Sequence, residues 1–262
     1  MKDRPLTLED SKALQLEMLK EIDSFCREND IKYALSCGTL IGAVRHKGYI
    51  PWDDDVDITM LYPDMLKFKK LFKSKNMLYC DIDVNPNFEY MFSRILSLKT
   101  FSKLGSHRCE GVCIDLYPIV ECSSDVNEIN KLLPKGQKLL ETRMNYIKWH
   151  RRLQRYTPFT FLPGFRKSIR NYYNFMFNDI QKVGGGSYYQ IGGPIVGNNN
   201  NFFHNMWSFN PLEEVIVMPF ENLSFSVPAR YDEMLSIRYG DYMQLPPEDQ
   251  RHPYHGFHYY WK

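Results

Sequence analysis

No stretch of the 262 residues approaches the ~20 consecutive apolar residues needed to cross a bilayer. The N-terminal MKDRPLTLED has no apolar core of the signal-peptide kind. The expectation is therefore a cytoplasmic protein, soluble or peripheral on the inner face of the membrane. Cysteine is also scarce, with six residues (Cys26, Cys37, Cys80, Cys109, Cys113 and Cys122), and reduced, structural thiols suit that compartment. Cys109 and Cys113 could supply half of a zinc site, but no second pair at metal-binding spacing follows them. Internal repeats are absent, and a net charge of +2 points to no class of partner. By contrast, 44% hydrophobic and 15% aromatic residues exclude a disordered chain. A chain of this length can bury a substantial core.

Against this background, Ser36 to Met60 (SCGTLIGAVRHKGYIPWDDDVDITM) concentrates the chemistry. Asp53, Asp54, Asp55 and Asp57 crowd into a few positions, and like charges so close call for a cation. Oxygen ligands without a His or Cys cluster favour Mg²⁺ or Mn²⁺ over zinc. Val56, Ile58 and Met60 read as the buried face of a strand, Val56 to Met60, and period two would put Asp55 and Asp57 on one face. Upstream, Ile31 to Ser36 reads as the first strand and Gly38-Thr39 as a tight turn before a short helix, Thr39 to Val44. Backbone N–H groups there, with the Thr39 hydroxyl, could hold a phosphate. Arg45, His46 and Lys47 could meet an anionic substrate, and Trp52 could stack on a base or simply pack. A solvated acidic loop is the bland alternative.

These residues resemble the signature of the LicD/fukutin-type family, a branch of the nucleotidyltransferase-fold superfamily. In that superfamily a Gly-Ser or Gly-Thr turn precedes an Asp-x-Asp strand, and a later strand adds a third carboxylate. Asp55 and Asp57 match the pair. Cys113-Ile114-Asp115-Leu116-Tyr117-Pro118 looks like the later strand, making Asp115 the third. The match extends to the N-terminal helix and to Tyr239-Gly240-Asp241-Tyr242. The resemblance implies an α/β (α+β) fold, a nucleotidyltransferase-like mixed sheet flanked by helices, with a helical insertion and a C-terminal segment that closes over the site. It also implies transfer of a phospho-alcohol group, typically phosphocholine from CDP-choline, onto a sugar hydroxyl of a surface glycan or its lipid-linked precursor. Asp55 and Asp57 would then ligate Mg²⁺ or Mn²⁺ with Asp115. Gly38 and Thr39 would contact the donor phosphates, Arg45, His46 and Lys47 would neutralise the leaving nucleotide, and Asp115 would position or deprotonate the acceptor hydroxyl. Asp53 and Asp54 would support the loop. Cys37, Ile41 and Tyr117 are conservative departures from the family pattern.

The remaining chain supports this division: a catalytic core over 1–125, a basic-aromatic insertion and loop over 126–210, and a completing segment over 211–262. Leu14, Met18, Ile22 and Phe25 recur at helical spacing after Thr7 and Asp10, which form a capping-box-like start. Pro63 opens a second helix running to about Ser74. Strands are expected at Cys80–Val84, Met91–Leu98 and Val112–Tyr117, a strand pair at 215–227, and a final helix from about Ala229 to Tyr239. From Arg143 to Asn178 there are eight Lys or Arg and no Asp or Glu, interleaved with aromatics. Such a stretch suits a membrane interface or an anionic glycolipid acceptor. Nucleic acid, the competing partner for that composition, is not expected. Two helices with their rings packed inward would look the same. Gly184 to Gly186 and Asn198 to Asn201 read as a mobile loop. His252, His255 and His258 are expected to pack or to bind phosphate rather than zinc. A nucleotide-sugar glycosyltransferase and a non-catalytic glycan-binding module are the rival functions.

Overall fold

The computed structural model describes residues 4–85, 88–102, 111–154, 164–181, 185–191, 203–253 and 258–262, with the backbone alone at 150, 151, 153 and 154. Helix α1 (Leu8–Glu28) starts where the sequence says it should. The Thr7 hydroxyl accepts from the Asp10 N–H, and the Asp10 carboxylate accepts from the Thr7 N–H. Its apolar stripe, Leu14, Met18, Leu19 and Ile22, is buried, worth about 1.5–3 kcal/mol per side chain.

A mixed sheet forms the centre, in the order β1 (Ala34–Leu35), β2 (Asp57–Leu61), β6 (Cys113–Ser123), β4 (Ser93–Ser97) and β3 (Met77–Cys80). β2 and β6 run parallel, and the other neighbours run antiparallel. The C-terminal half of β6 pairs with β7 (Gly186–Gln190), which pairs with β8 (Met206–Trp207). The flanks are α1, α3 (Tyr62–Leu71), α4 (Val126–Gln154) and α5 (Phe165–Asn174). Two small antiparallel pairs complete the fold, β9 (Val215–Phe220) with β10 (Leu223–Pro228), and β5 (Thr100–Ser102) with β11 (Tyr259–Trp261). Helix α6 (Tyr231–Tyr239) follows β10. The architecture is thus the expected mixed α/β one.

Several boundaries differ from expectation for local reasons. The strand expected at Cys80–Val84 is instead Met77–Cys80, because the Asp81 carboxylate accepts from the N–H groups of Asp83 and Val84 and turns the chain. β7 arises where a mobile loop was expected, with residues 182–184 and 192–202 outside the described residues. The first helix after β1 begins at Cys37, not Thr39. α2 (Cys37–Ile41) continues into a wide turn of π type, Gly42–His46, so Gly38 and Thr39 lie inside the helix.

Among the described residues of the basic-aromatic segment, the rings mainly face inward. Phe165, Tyr172, Phe175 and Phe177 are buried, as two helices packed on each other require. Arg143 is buried as well and donates to the Glu89 carbonyl. Met144 and Trp149 remain about half exposed, at 50% and 54%. The Arg152 guanidinium lies 5.6 Å from the Trp149 ring. Arg155, Tyr156, Phe159, Phe161 and Asn198 to Asn201 lie outside the described residues, as do Cys109 and His255. Among the described residues, no helix is long and apolar enough to cross a membrane.

Candidate active site

The two faces of the sheet differ. Ile58, Met60, Ile95, Ile114 and Leu116 fill the main core beneath α1 and α3. The opposite face begins at Ala34, Leu61 and Ile119, covered by Trp207 and Met234. Beyond that apolar end the alternation of β2, β6 and β4 brings polar side chains into a row. Asp57 is the register partner of Asp115, and Asp115 of Arg94. Both carboxylates are buried, at 5% and 4% exposure. One Asp115 oxygen lies 2.8 Å from Arg94 Nε, and the other accepts from Arg94 Nη2 at 3.2 Å.

Asp57 differs from its neighbour. Its N–H donates to the Thr39 hydroxyl at 2.9 Å and its carbonyl accepts from the Ser36 N–H at 3.0 Å. Its carboxylate Oδ1, however, is buried with no hydrogen-bond partner among the described residues. Burial holds the Asp57 carboxyl well above the usual carboxylate range. Cys37, Asp55, Asp115 and Asp53 push in the same direction. Cys37 takes a left-handed backbone conformation, with φ 49°, at the start of α2, and its thiol lies near the hydroxyl of Ser36 and the amide of Gln190.

Asp55 precedes β2, so strand alternation does not relate it to Asp57. It belongs instead with Asp53 and Asp54, each of which brings one oxygen within 4.8 Å of the others. Burial raises the Asp53 carboxyl, although hydrogen bonding to Asp55 opposes the shift. This acidic loop is held by α1: Lys12 Nζ donates to the carbonyls of Ile50 and Pro51, and Gln15 Nε2 to that of Asp54. Gly38 lies directly beneath Asp53, and a Cβ there would sit 2.8 Å from an Asp53 oxygen.

The expected cationic trio is placed differently. Arg45 Nη1 donates to the carbonyls of Tyr242 (2.6 Å) and Gln244 (3.2 Å), and Arg45 Nε to His46 Nε2. Burial and the Arg45 charge lower the His46 pKa, so its imidazole is neutral at pH 7 and not the cation the sequence suggests. Lys47 Nζ donates to the Val44 carbonyl and is exposed. Trp52 packs edge-on to His46 at 6.3 Å, with the Arg251 guanidinium 5.7 Å from its ring.

Two other arginines face the carboxylates, and sequence reasoning missed both. Arg94 was visible only as a charged residue inside an apolar strand. Arg238 projects from α6. Burial opposes its charge, but Cys37, Tyr239, Asp57 and Tyr117 lie about it and hold the guanidinium firmly protonated. One row further along β6, Tyr117 lies 4.4 Å from Phe92 between ring centres. Burial raises the Tyr117 phenol, and Asp57 and Asp115 add to the shift. The arrangement joins paired buried carboxylates, a short helix at their side and an arginine from the C-terminal segment. It can hold a cation against Asp57 and oppose positive charge to a phosphate.

The stretch that carries these residues is similar to known proteins. Residues 30–155 match the family model described as LicD/FKTN/FKRP, nucleotidyltransferase domain. The chain is 27% identical to the lipopolysaccharide cholinephosphotransferase LicD of Haemophilus influenzae, over 96% of this chain and 97% of that protein. It is also 35% identical to an uncharacterised protein of Rickettsia typhi, over 37% of this chain and 31% of that protein. A similar protein of Rickettsia prowazekii is 30% identical over 40% and 34%. With Asp57 and Asp115 side by side in the matched region, the chain is similar to the LicD/FKTN/FKRP family over residues 30–155 and to the Haemophilus protein over nearly its whole length.

Proposed function

We propose that the protein transfers a phospho-alcohol group, phosphocholine from CDP-choline, to a sugar hydroxyl of a lipopolysaccharide-type glycan or its lipid-linked precursor. The observation that carries this reading is the buried, unpartnered Oδ1 of Asp57 beside Asp115. The Haemophilus relative's name supplies the substrate class.

The ion would be Mg²⁺ or Mn²⁺, because the donor set is all oxygen and contains a buried carboxyl whose ionisation a cation would favour. Asp57 and Asp55 would hold the metal, with Asp115 completing the set. Such a metal neutralises phosphate charge and orients the transferring group. Arg238 would face the donor phosphates, and α2 with Gly38 and Thr39 would orient them. Asp115, gripped by Arg94, would position the acceptor hydroxyl or take its proton. The acceptor oxygen forms its bond to the phosphorus that carries choline. The bond from that phosphorus to the CMP oxygen breaks, and CMP leaves with the electron pair.

The exposed Met144 and Trp149, with Lys148 and Arg152, support peripheral contact with an anionic membrane surface where a lipid-linked acceptor resides. The decisive experiment incubates the chain with CDP-choline, acceptor and Mg²⁺, and follows release of CMP and phosphorus in the glycan. Activity lost in EDTA and restored by Mn²⁺ is the expected result. A glycan that gains sugar instead of phosphorus identifies the glycosyltransferase alternative, and undiminished transfer in EDTA overturns the metal role.

A further inference from the structure

The row next to the carboxylates is aromatic. Tyr117 follows Asp115 by two residues on β6, so its side chain emerges on the same face about 7 Å further along. Phe92, two residues before Arg94, meets it from the neighbouring strand at 4.4 Å, with the rings tilted by 38°. Tyr90 continues the series, 5.4 Å from Phe92. Phe92 and Tyr117 are both half-buried. Had they served only as core, alternation on this face would have buried them completely, as it buries Ile119 one row away.

We infer that Phe92 and Tyr117 seat the quaternary ammonium end of the transferred phospho-alcohol. The inference rests on the transfer reading above. From a phosphorus held at the Asp57–Asp115 row, Phe92 and Tyr117 stand one row along the strands, which is the reach of a short O–C–C–N chain. The π faces attract a cation that cannot donate hydrogen bonds, and the recognition is strongest where water is excluded. The surface already holds one cation in this way: the Arg94 guanidinium lies 3.7 Å from the Tyr90 ring centre and 5.9 Å from that of Phe92. Its charge is matched by Asp115, so it does not repel a second cation as a bare arginine would. An amine with N–H groups gains less here, because the rings accept hydrogen bonds poorly and water holds it back.

The test compares donors that differ only in methylation, CDP-choline, CDP-dimethylethanolamine and CDP-ethanolamine, in the wild type and in Phe92→Leu, using the full chain with Mg²⁺. In parallel, direct binding of phosphocholine and phosphoethanolamine is measured by calorimetry. The expected wild-type kcat/KM rises with each methyl group, and Phe92→Leu reduces the choline preference by on the order of tenfold. Should Phe92→Leu fail to fold, Phe92→Met carries the same reading. A wild type that binds both phospho-alcohols equally overturns the inference. So does a variant whose donor preference is unchanged while its acceptor KM rises, which assigns the rings to the glycan. If no CDP-alcohol turns over, the transfer reading fails, and the difference in phospho-alcohol binding still decides the aromatic seat.

Discussion

Asp57 is a buried carboxyl with two kinds of pressure against ionising, burial and neighbouring carboxylates. Its folded pKa lies above its unfolded value, so between the two the native state binds more protons and stability falls as pH rises. Removing the charge should therefore stabilise the metal-free protein. Asp57→Asn is expected to melt above the wild type in EDTA at pH 8, by roughly 2–4 °C per kcal/mol relieved, with the gap closing toward pH 4. Added Mn²⁺ should raise the melting temperature of the wild type alone, and Mn²⁺ affinity should increase with pH as the proton is displaced. A variant that melts below the wild type under these conditions contradicts the strain assigned to Asp57. Arg94 and Asp115 behave oppositely, since each neutralises the other in a site that is 4% and 6% exposed. Arg94→Met leaves a buried carboxylate unpaired and should cost about 3–5 kcal/mol in urea denaturation. Asp115→Asn should lower turnover by ~10²-fold or more if Asp115 takes the acceptor proton.

At the level of elements, the segment from Cys37 to Tyr49 ties the site to the C-terminal part. Gly42 lies against the Gly48 carbonyl, where a Cβ would sit 2.4 Å from the oxygen. Glu221, in the β9–β10 turn, accepts from the Tyr49 N–H at 2.9 Å, and its own N–H donates to the Lys47 carbonyl at 2.8 Å. Gly42→Ala must push backbone from backbone, and a loss of about 1–3 kcal/mol is expected. Arg45→Met should accelerate amide exchange at Tyr242 to Gln244 without changing it in α1, because Arg45 grips the carbonyls of Tyr242 and Gln244. Equal protection in both proteins would show that the segment is held elsewhere. The elements themselves were largely legible. Thr7 and Asp10 announced α1, Pro63 announced α3, and the alternation of 215–227 announced the hairpin. What was not legible was the start of α2, since a positive φ at a cysteine has no sequence signal, and β7, whose flanking glycines imitate a loop.

On the scale of the whole molecule, α4 presents Met144, Lys148, Trp149 and Arg152 to solvent, an arrangement suited to a headgroup layer. Binding to vesicles rich in anionic lipid should weaken by about 1 kcal/mol for each basic residue removed, Lys148→Ala and Arg152→Ala being measured by co-sedimentation. A wild-type chain that does not sediment with such vesicles reduces the segment to a packed helix pair.

The sequence by itself determined the composition of the site's acidic half, the family resemblance, the amphipathic helices and the strand carrying Asp115, because these depend on short-range patterns of charge and periodicity. It could not decide which groups meet. Asp57 and Asp115 are 58 positions apart in the chain, yet parallel pairing of β2 and β6 makes them neighbours. Strand order then places Arg94 against Asp115, and the C-terminal helix brings Arg238 to Asp57. Arg45, read in the sequence as a possible substrate cation, clasps the carbonyls of Tyr242 and Gln244 in the C-terminal chain. These outcomes follow from register and packing, which set distance between side chains, and distance is what turns a list of charged residues into ion pairs, a raised carboxyl and an aromatic row beside it.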